Sequence, residues 1–311
     1  MAHRLLIESG PAGTRAALAD GRTLLAATAE RGDAPSSIGS RWLGRVRRVE
    51  HGAAFVDIGQ PRAAYLNLKD VAPELGPLHE GRALLVRCRR DAFDDKGVTL
   101  AAEPGDAPGR TAPALLHDDG PVGRVLRQLG HADLSAIIVA PLPALAAAQR
   151  WVDANAPALA PLLTPARGEW PFDDEIEAAF DDLLQPVVQL PGGAVLQIEA
   201  TAALTAIDVD RAAATAEPSA INLVAAAEIA RQLRLRAIGG LVVIDFLKVG
   251  RRDGETAVAA LRQALASDPA SSKIVPMSAL GLVELARQRT ARPLAQGIDP
   301  RFADWRRTVR P

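Results

Sequence analysis

The sequence predicts an α+β protein in which a small β-barrel precedes a region of alternating helices and strands. Residues 38–102 contain short strand-like runs separated by turn residues, and residues 103–112 form a Pro- and Gly-rich linker. Apolar runs with helical and strand periodicity alternate beyond that linker. The 311 residues, 48% of them apolar, suffice for two or three modest domains with a sizeable core.

The N-terminal third is predicted to be almost entirely β-structure. Residues 5–7 and 15–24 predict strands around a turn at residues 10–13, and residues 30–40 predict a linker. Five short strands at regular spacing are typical of a small closed barrel. The predicted barrel strands cover residues 42–49, 53–58, 63–66, 83–88 and 98–101.

The rest of the chain is predicted to alternate between helices and strands. Strands are expected at residues 137–140, 187–190, 194–198, 204–210 and 241–246, and near Ile274. Helices are expected at residues 143–155, 173–184, 219–236, 256–266 and 281–288.

Composition excludes several classes of site. The net charge is −1, so a nucleic-acid site would require local basic patches. Cys88 is the only cysteine, which rules out an intramolecular disulfide and a cysteine-based zinc site within one chain. The five histidines are far apart, so neither a histidine metal site nor a Ser-His-Asp triad is expected. No signal peptide or membrane span is evident, and we expect a cytoplasmic protein.

Two aspartates follow apolar strand-like runs. Asp208 and Asp245 each end such a run, and the strand–helix–strand order between them favours neighbouring parallel strands. Both carboxylates would then emerge at one edge of the sheet. A pair of oxygen donors there suits Mg²⁺. Alternatively, each aspartate caps a following turn or helix.

At these residues the sequence resembles the ribonuclease E/G family. The similarity extends over most of the chain, including the opening strands, the barrel and the turn at residues 191–193. Its most distinctive segments are residues 199–210, 227–236, 239–246 and 281–289.

The resemblance implies a specific division of the chain. A ribonuclease-H-like subdomain would comprise residues 1–36 and 104–190. It would be interrupted by an S1-type OB-fold RNA-binding barrel at residues 37–103 and followed by a DNase-I-like catalytic subdomain at residues 191–311.

The resemblance also implies an endoribonuclease that cuts single-stranded RNA internally to 5′-phosphate and 3′-hydroxyl ends, in RNA processing or decay. Asp208 and Asp245 match the family's magnesium ligands, and Asp210 is the third expected catalytic residue. Asp210 stands where the family often has asparagine. The extra charge could tighten metal binding, shift preference toward Mn²⁺, or slow attack on the phosphate.

Further residues are expected to contact RNA. Phe55, Tyr65 and Lys96 align with the family's RNA-contacting positions, and exposed aromatic side chains on such a barrel stack bases. For Phe55 the alternative is a place in the barrel core.

Arginines are the candidates for phosphate contacts. Arg45 lies in a basic cluster on the first barrel strand, where a solvated strand face is the alternative. Arg287 and Arg289, at the end of the last predicted helix, are RNA-binding candidates, and the sequence leaves open which arginine contacts the scissile phosphate.

The chain departs from the family pattern in two places. Between the barrel and residue 113 there is too little chain for the subdomain that senses the RNA 5′ end, so we expect cleavage independent of that end. The pair Arg110 and Thr111 is assigned to the linker, with a residual phosphate grip as the alternative. No Cys-x-x-Cys motif is present, so no zinc and no zinc-linked dimer are expected, and the oligomeric state stays open. The aspartate at position 210, the residues 211–213 that follow it and the missing zinc link leave a second hypothesis, a non-catalytic RNA-binding or ribosome-associated protein that retains the fold.

Overall fold

The computed structural model describes residues 3–92, 97–130 and 133–308. In chain order the strands are β1 (His3–Gly10), β2 (Gly13–Asp20), β3 (Thr23–Arg31), β4 (Arg41–Glu50), β5 (Ala53–Asp57), β6 (Ala64–Asn67), β7 (Ala83–Arg90), β8 (Thr99–Glu103), β9 (Ala114–His117), β10 (Leu134–Ala140), β11 (Leu163–Pro165), β12 (Val187–Gln189), β13 (Val195–Ala200), β14 (Thr205–Asp210), β15 (Gly240–Asp245), β16 (Ser272–Ile274) and β17 (Leu282–Arg287).

The helices are α1 (Gly120–Leu129), α2 (Leu142–Asn155), α3 (Asp174–Asp182), α4 (Pro218–Leu235), α5 (Arg251–Leu265), α6 (Leu294–Gly297) and α7 (Phe302–Thr308). Across the described ranges, none of these helices is long and apolar enough to cross a bilayer.

The first sheet is covered on both faces. Its strand order is β11–β10–β1–β2–β3, with β1 parallel to β10 and antiparallel to β2. Successive side chains of a strand point to opposite faces, so Leu5 and Ile7 pack under α1 and α2 whereas Leu6 packs against α3. This double cover explains why β2 is buried along nearly its whole length.

The second unit is a closed barrel. Its strands follow the order β5–β6–β8–β7–β4, and β4 also pairs with β5, which closes the sheet on itself. Val46, Val56, Leu66, Val86 and Leu100 are among the side chains that fill its interior. The predicted small barrel is confirmed, and its architecture fits an OB-fold. β9 pairs with the start of β4, so the chain beyond the linker still adds to the barrel sheet.

The remaining sheet, called the second sheet below, has one covered and one open face. Its order is β12–β13–β14–β15–β17–β16; β14 and β15 are parallel, whereas the other neighbours are antiparallel. Every second residue of β14 is buried, and Ile207 and Val209 share one core with Ile229 of α4 and Leu261 of α5. The intervening residues face solvent.

Most predicted elements are confirmed, but the helix expected at residues 281–288 is wrong. Those residues form β17, in which Val283, Leu285 and Arg287 are buried while Glu284 is exposed. The Leu- and Ala-rich sequence favours a helix locally. Pairing with both β15 and β16 satisfies its backbone groups and overrides that preference.

The end of the described chain returns to the first sheet. α6 contacts β3, and Leu294 joins the core beneath α3. In α7 the ring of Trp305 lies so close to Gly10 that a Cβ there would be 2.0 Å from it. The domain boundaries, and the ribonuclease-H-like and DNase-I-like assignments, stay predictions.

Candidate active site

Two aspartates lie side by side on the open face of the second sheet. Asp208 on β14 and Asp245 at the end of β15 are direct partners in the parallel register. Adjacent strands are about 4.8 Å apart, and side chains at one register position point to the same face. Ile207 and Ile244 anchor both strands in the core. The convergence predicted from the strand–helix–strand order is therefore observed.

These two carboxylates are not neutralised by the protein. Among the described residues, neither Asp208 nor Asp245 forms an ion pair. Partial burial, together with repulsion from Asp245 and Asp210, raises the pKa of Asp208 above its ordinary value. The site therefore concentrates negative charge that a bound cation would relieve.

Asp210 is held differently from the pair. It lies two residues beyond Asp208 on the same face of β14, and its Oδ1 accepts a hydrogen bond from the Ala212 amide at 2.8 Å. Ala212 has a φ of 43°, so the carboxylate stabilises a tight turn after β14. The capping role that the sequence offered as an alternative for Asp208 and Asp245 is thus observed at Asp210 instead. For Asp208, a backbone hydrogen bond from the adjacent Val209 amide partly offsets the rise of its pKa.

The donor set fits a hard divalent cation. Within residues 3–92, 97–130 and 133–308, no three or more His, Cys, Asp or Glu side chains gather at metal-binding spacing. Asp208 and Asp245 are the carboxylates that share a register position at this face. Mg²⁺ is commonly held by one or two carboxylates, keeps several waters and completes its shell with phosphate oxygens. Mn²⁺ prefers the same ligands.

One residue that supports the site was missed in the sequence. Asn222 of α4 is fully buried; its Nδ2 donates to the Leu247 carbonyl at 2.9 Å, and the Leu247 amide donates to its Oδ1 at 3.0 Å. This pair of hydrogen bonds fixes the chain directly after Asp245. The sequence signal for Asn222 was a polar residue on the apolar side of a predicted helix. A side-chain amide that is buried there needs hydrogen-bond partners.

The barrel carries an aromatic pair on its surface. Phe55 and Tyr65 are register partners on β5 and β6, with ring centroids 6.1 Å apart in an edge-to-face arrangement. Ala54 and Val56 are fully buried, so Phe55 points away from the core. Tyr65 is 38% exposed, and the guanidinium of Arg48 lies 4.3 Å from the Phe55 ring. The core alternative for Phe55 does not fit this geometry.

A cavity accompanies the pair. It measures about 520 Å³, and Phe55, Tyr65, Arg62, Arg90 and Thr99 are among its lining residues. Lys96, the expected basic partner of the aromatic residues, lies outside the described residues.

Arg45 already has hydrogen-bond partners in the protein. Its guanidinium donates to the carbonyls of Gly81 at 3.1 Å and Ala112 at 3.2 Å. Arg47, from the same predicted cluster, lies in a β-bulge and pairs with Asp57. Arg45 remains partly exposed, and its contact with RNA stays a prediction.

Arg287 and Arg289 have different environments. Arg287 is the last residue of β17 and Arg289 follows that strand, so neither lies on the predicted helix. Arg287 is 6% exposed, pairs with the buried Asp268 at 2.8 Å and donates to the Ile238 carbonyl. This interior position does not fit the expected RNA contact. Arg289 is partly exposed, and its Nε donates to the Gly239 carbonyl at 3.2 Å.

Comparison with known proteins identifies the family. Residues 102–290, more than half of the chain, match the Ribonuclease E/G family. The chain is 38% identical over 231 residues to Ribonuclease E of Nostoc sp., an alignment that covers 67% of this chain and 34% of that protein. It is 37% identical over 201 residues to Ribonuclease E of Escherichia coli, covering 61% of this chain and 19% of that protein.

A third relative aligns over nearly the whole chain. Ribonuclease G of Escherichia coli is 27% identical over 393 positions, covering 93% of this chain and 80% of that protein. An alignment longer than the chain contains segments of the relative without a counterpart here. The chain spans about a third and a fifth of the length of the two Ribonuclease E relatives. The extent of the family match decides the assignment: this chain belongs to the Ribonuclease E/G family.

Proposed function

We propose that this chain is a magnesium-dependent endoribonuclease that cuts single-stranded RNA internally, in cytoplasmic RNA processing or decay. The observation that carries the proposal is the register pair of unneutralised carboxylates, Asp208 and Asp245, in a chain of this family. The relatives' names, Ribonuclease E and Ribonuclease G, support RNA as the substrate class.

The chain's own residues would hold the ion and receive the phosphate. Asp208 and Asp245 each offer oxygen donors on an open sheet face that a single strand can approach. Bound there, Mg²⁺ supplies positive charge for the phosphate that is attacked. In the proposed hydrolysis water adds to phosphorus, the bond to the 3′ oxygen breaks, and that oxygen takes the proton. The products are a 5′-phosphate and a 3′-hydroxyl.

Asp245→Asn is the most direct test of the proposal. Wild type should cut a fluorescent A/U-rich RNA in Mg²⁺ and not in EDTA, whereas Asp245→Asn should lose cleavage but keep RNA binding. Asp133→Asn is the matched control, because Asp133 is exposed and directly precedes β10 of the first sheet. Wild type that binds RNA but leaves it intact in both Mg²⁺ and Mn²⁺ would support the non-catalytic RNA-binding hypothesis instead.

We also propose that cleavage is independent of the RNA 5′ end. The support is the short connection between β8 and β9, together with the long gapped alignment to Ribonuclease G. Matched RNAs carrying a 5′-monophosphate or a 5′-hydroxyl should show nearly equal kcat/KM. A strong monophosphate preference would contradict this part of the proposal and leave the cleavage chemistry intact.

A further inference from the structure

An arginine-lined cleft lies where the first sheet, the barrel and the second sheet meet. The cavity measures about 310 Å³. Its walls come from β3, from the end of β7 and from the chain after β17. The arginines that line it are Arg31, Arg90, Arg289 and Arg292.

The described residues that line the cleft carry net positive charge. Among the described residues, Arg90 and Arg292 have no carboxylate partner: Arg90 donates to Thr99 Oγ1 at 3.1 Å and Arg292 to the Ala34 carbonyl at 2.8 Å. Arg31 is paired with the exposed Asp33. An exposed pair of this kind is weak and can exchange for a phosphate contact.

An unsatisfied buried atom lies in the same wall. Asp91 is an acidic residue of the lining, and its Oδ1 accepts from the Ser37 amide at 2.7 Å. Its Oδ2 is buried and has no hydrogen-bond partner within the described part of the chain. A buried acceptor of this kind calls for a donor. A ribose hydroxyl next to a bound phosphate is such a donor, so the cleft offers both cations and an acceptor to a nucleotide.

The cleft adjoins the aromatic cavity of the barrel at Arg90. Arg90 lines both cavities, so its side chain connects the surface that holds Phe55 and Tyr65 with the cleft. On the other side, a neighbouring cavity of about 450 Å³ shares Arg292 with the cleft. Hydroxyl and amide side chains line that second cavity: Thr28, Ser36, Gln128 and Thr290.

The cleft is separate from the carboxylate pair. Arg289 lies against Gly239 and Gly240 at the start of β15, whereas Asp245 is the last residue of that strand. At about 3.3 Å per residue, the strand puts roughly 17 Å between the two ends. A phosphate in the cleft is therefore not the one that is cut.

We infer that this cleft binds internal backbone phosphates of the same RNA strand whose bases stack on Phe55 and Tyr65. The inference rests on the proposed RNA substrate and adds a second anchoring site, remote from cleavage. Its chemistry is general for phosphates, since arginines bind them bidentately without reading a base. A free nucleotide or the terminal phosphate of an RNA presents the same phosphate group. The experiment therefore distinguishes these two ligands from internal backbone phosphates.

RNA binding without cleavage tests the inference. Fluorescence anisotropy in EDTA would measure binding of 5′-hydroxyl A/U-rich oligonucleotides of four and twelve residues to wild type, Arg90→Gln, Arg292→Gln and Arg292→Lys. Arg150→Gln on α2 is the control, because Arg150 is exposed and lines neither the cleft nor its two neighbouring cavities. Thermal unfolding of each variant checks whether removing the hydrogen bond to Ala34 affects stability.

A cleft that holds phosphates gives a specific pattern. Arg90→Gln and Arg292→Gln should weaken binding of the twelve-residue RNA by about tenfold and leave binding of the four-residue RNA unchanged. The slope of log K against log salt should fall by about 0.7 for each phosphate that is no longer neutralised, and Arg292→Lys should keep most of that slope. A merely structural role would not change the salt slope.

Three results would overturn the inference. Arginine variants that match Arg150→Gln, while Tyr65→Ala still weakens binding, would show that RNA does not enter the cleft. An effect confined to RNA with a 5′-monophosphate would assign the cleft to strand ends. Competition by adenosine monophosphate at concentrations near the RNA Kd would assign it to free nucleotides. Wild type that binds neither RNA would instead refute the proposed function.

Discussion

The two sheets outside the barrel differ in how their charged side chains are paired. In the first, Glu8 and Arg15 are 0% and 5% exposed and pair with each other at 2.9 Å. In the second, Asp208 and Asp245 share a register position on an open face and have no cationic partner among the described residues. A buried charge must be paired, whereas a charge at an open face can stay uncompensated. The paired charges stabilise the fold of the first sheet, whereas the clustered carboxylates of the second sheet are those that the proposed function assigns to metal binding.

Asp119 and Asp208 show the same contrast in single carboxyl groups. Asp119 is 1% exposed and accepts hydrogen bonds from three elements, through Arg127 of α1, Trp151 of α2 and His117 of β9. Burial alone would raise its pKa, but these bonds outweigh burial and lower it to about 2. The pKa of Asp208 is raised, because burial and the neighbouring carboxylates outweigh the backbone hydrogen bond from Val209.

The largest expected effect is a loss of activity without a loss of stability when Asp208 of the second sheet is replaced. Asp208→Asn should lower kcat/KM for RNA at least about 100-fold, since a ligand of the catalytic ion is removed. Its free energy of unfolding without metal should be unchanged or higher, because one of the repelling charges is removed. Steady-state kinetics and urea unfolding measure the two quantities. A substantial loss of stability would mean that Asp208 is structural.

In the first sheet, removal of a charged side chain should instead lower the free energy of unfolding. Arg15→Met leaves the buried Glu8 with Arg306 as its one cationic partner among the described residues, and should lower the free energy of unfolding by about 3 kcal/mol. The double variant Glu8→Gln/Arg15→Met should recover part of that loss, since the uncompensated charge is gone. Urea unfolding, with the exposed Arg150→Met as control, tests this. A double variant less stable than Arg15→Met would contradict it.

The paired Asp119 predicts a pH-dependent stability. A pKa of about 2 in the folded protein lies below the ordinary 3.8, so the ionised carboxylate stabilises the fold above that ordinary value and loses its effect as pH falls toward 2. Asp119→Asn should therefore cost about 2 kcal/mol at pH 7. The difference from wild type should shrink steadily below pH 4 in urea unfolding. A constant difference across this range would rule out the ionised pairing.

The smallest expected effect concerns the third carboxylate. Asparagine can still accept the Ala212 hydrogen bond, so Asp210→Asn removes charge while keeping the turn. Removal of one nearby charge should raise the Mg²⁺ concentration for half-maximal cleavage by roughly threefold to fivefold. Metal titrations of both proteins in Mg²⁺ and Mn²⁺ measure it. An unchanged requirement would show that Asp210 serves only the turn.

Sequence patterns determined much of the fold and the central pair. The barrel, the long helix α4 and the strands that end at Asp208 and Asp245 follow from apolar periodicity and turn residues, because burial on one face imposes that periodicity. The parallel pairing of the two strands follows from their order with a helix between them. These features are local or depend on connectivity alone.

Only the tertiary structure decided which residues far apart in the chain become neighbours. Residues 282–287 form a strand because β15 and β16 lie beside them, and Arg287 can be buried because it pairs there with Asp268. The hydrogen bonds of Asn222 and the arginine cleft join residues far apart in the chain, and no sequence period encodes such proximity. Pairing partners and burial at these positions come from the assembled fold, since the free energy of a buried polar group depends on its surroundings.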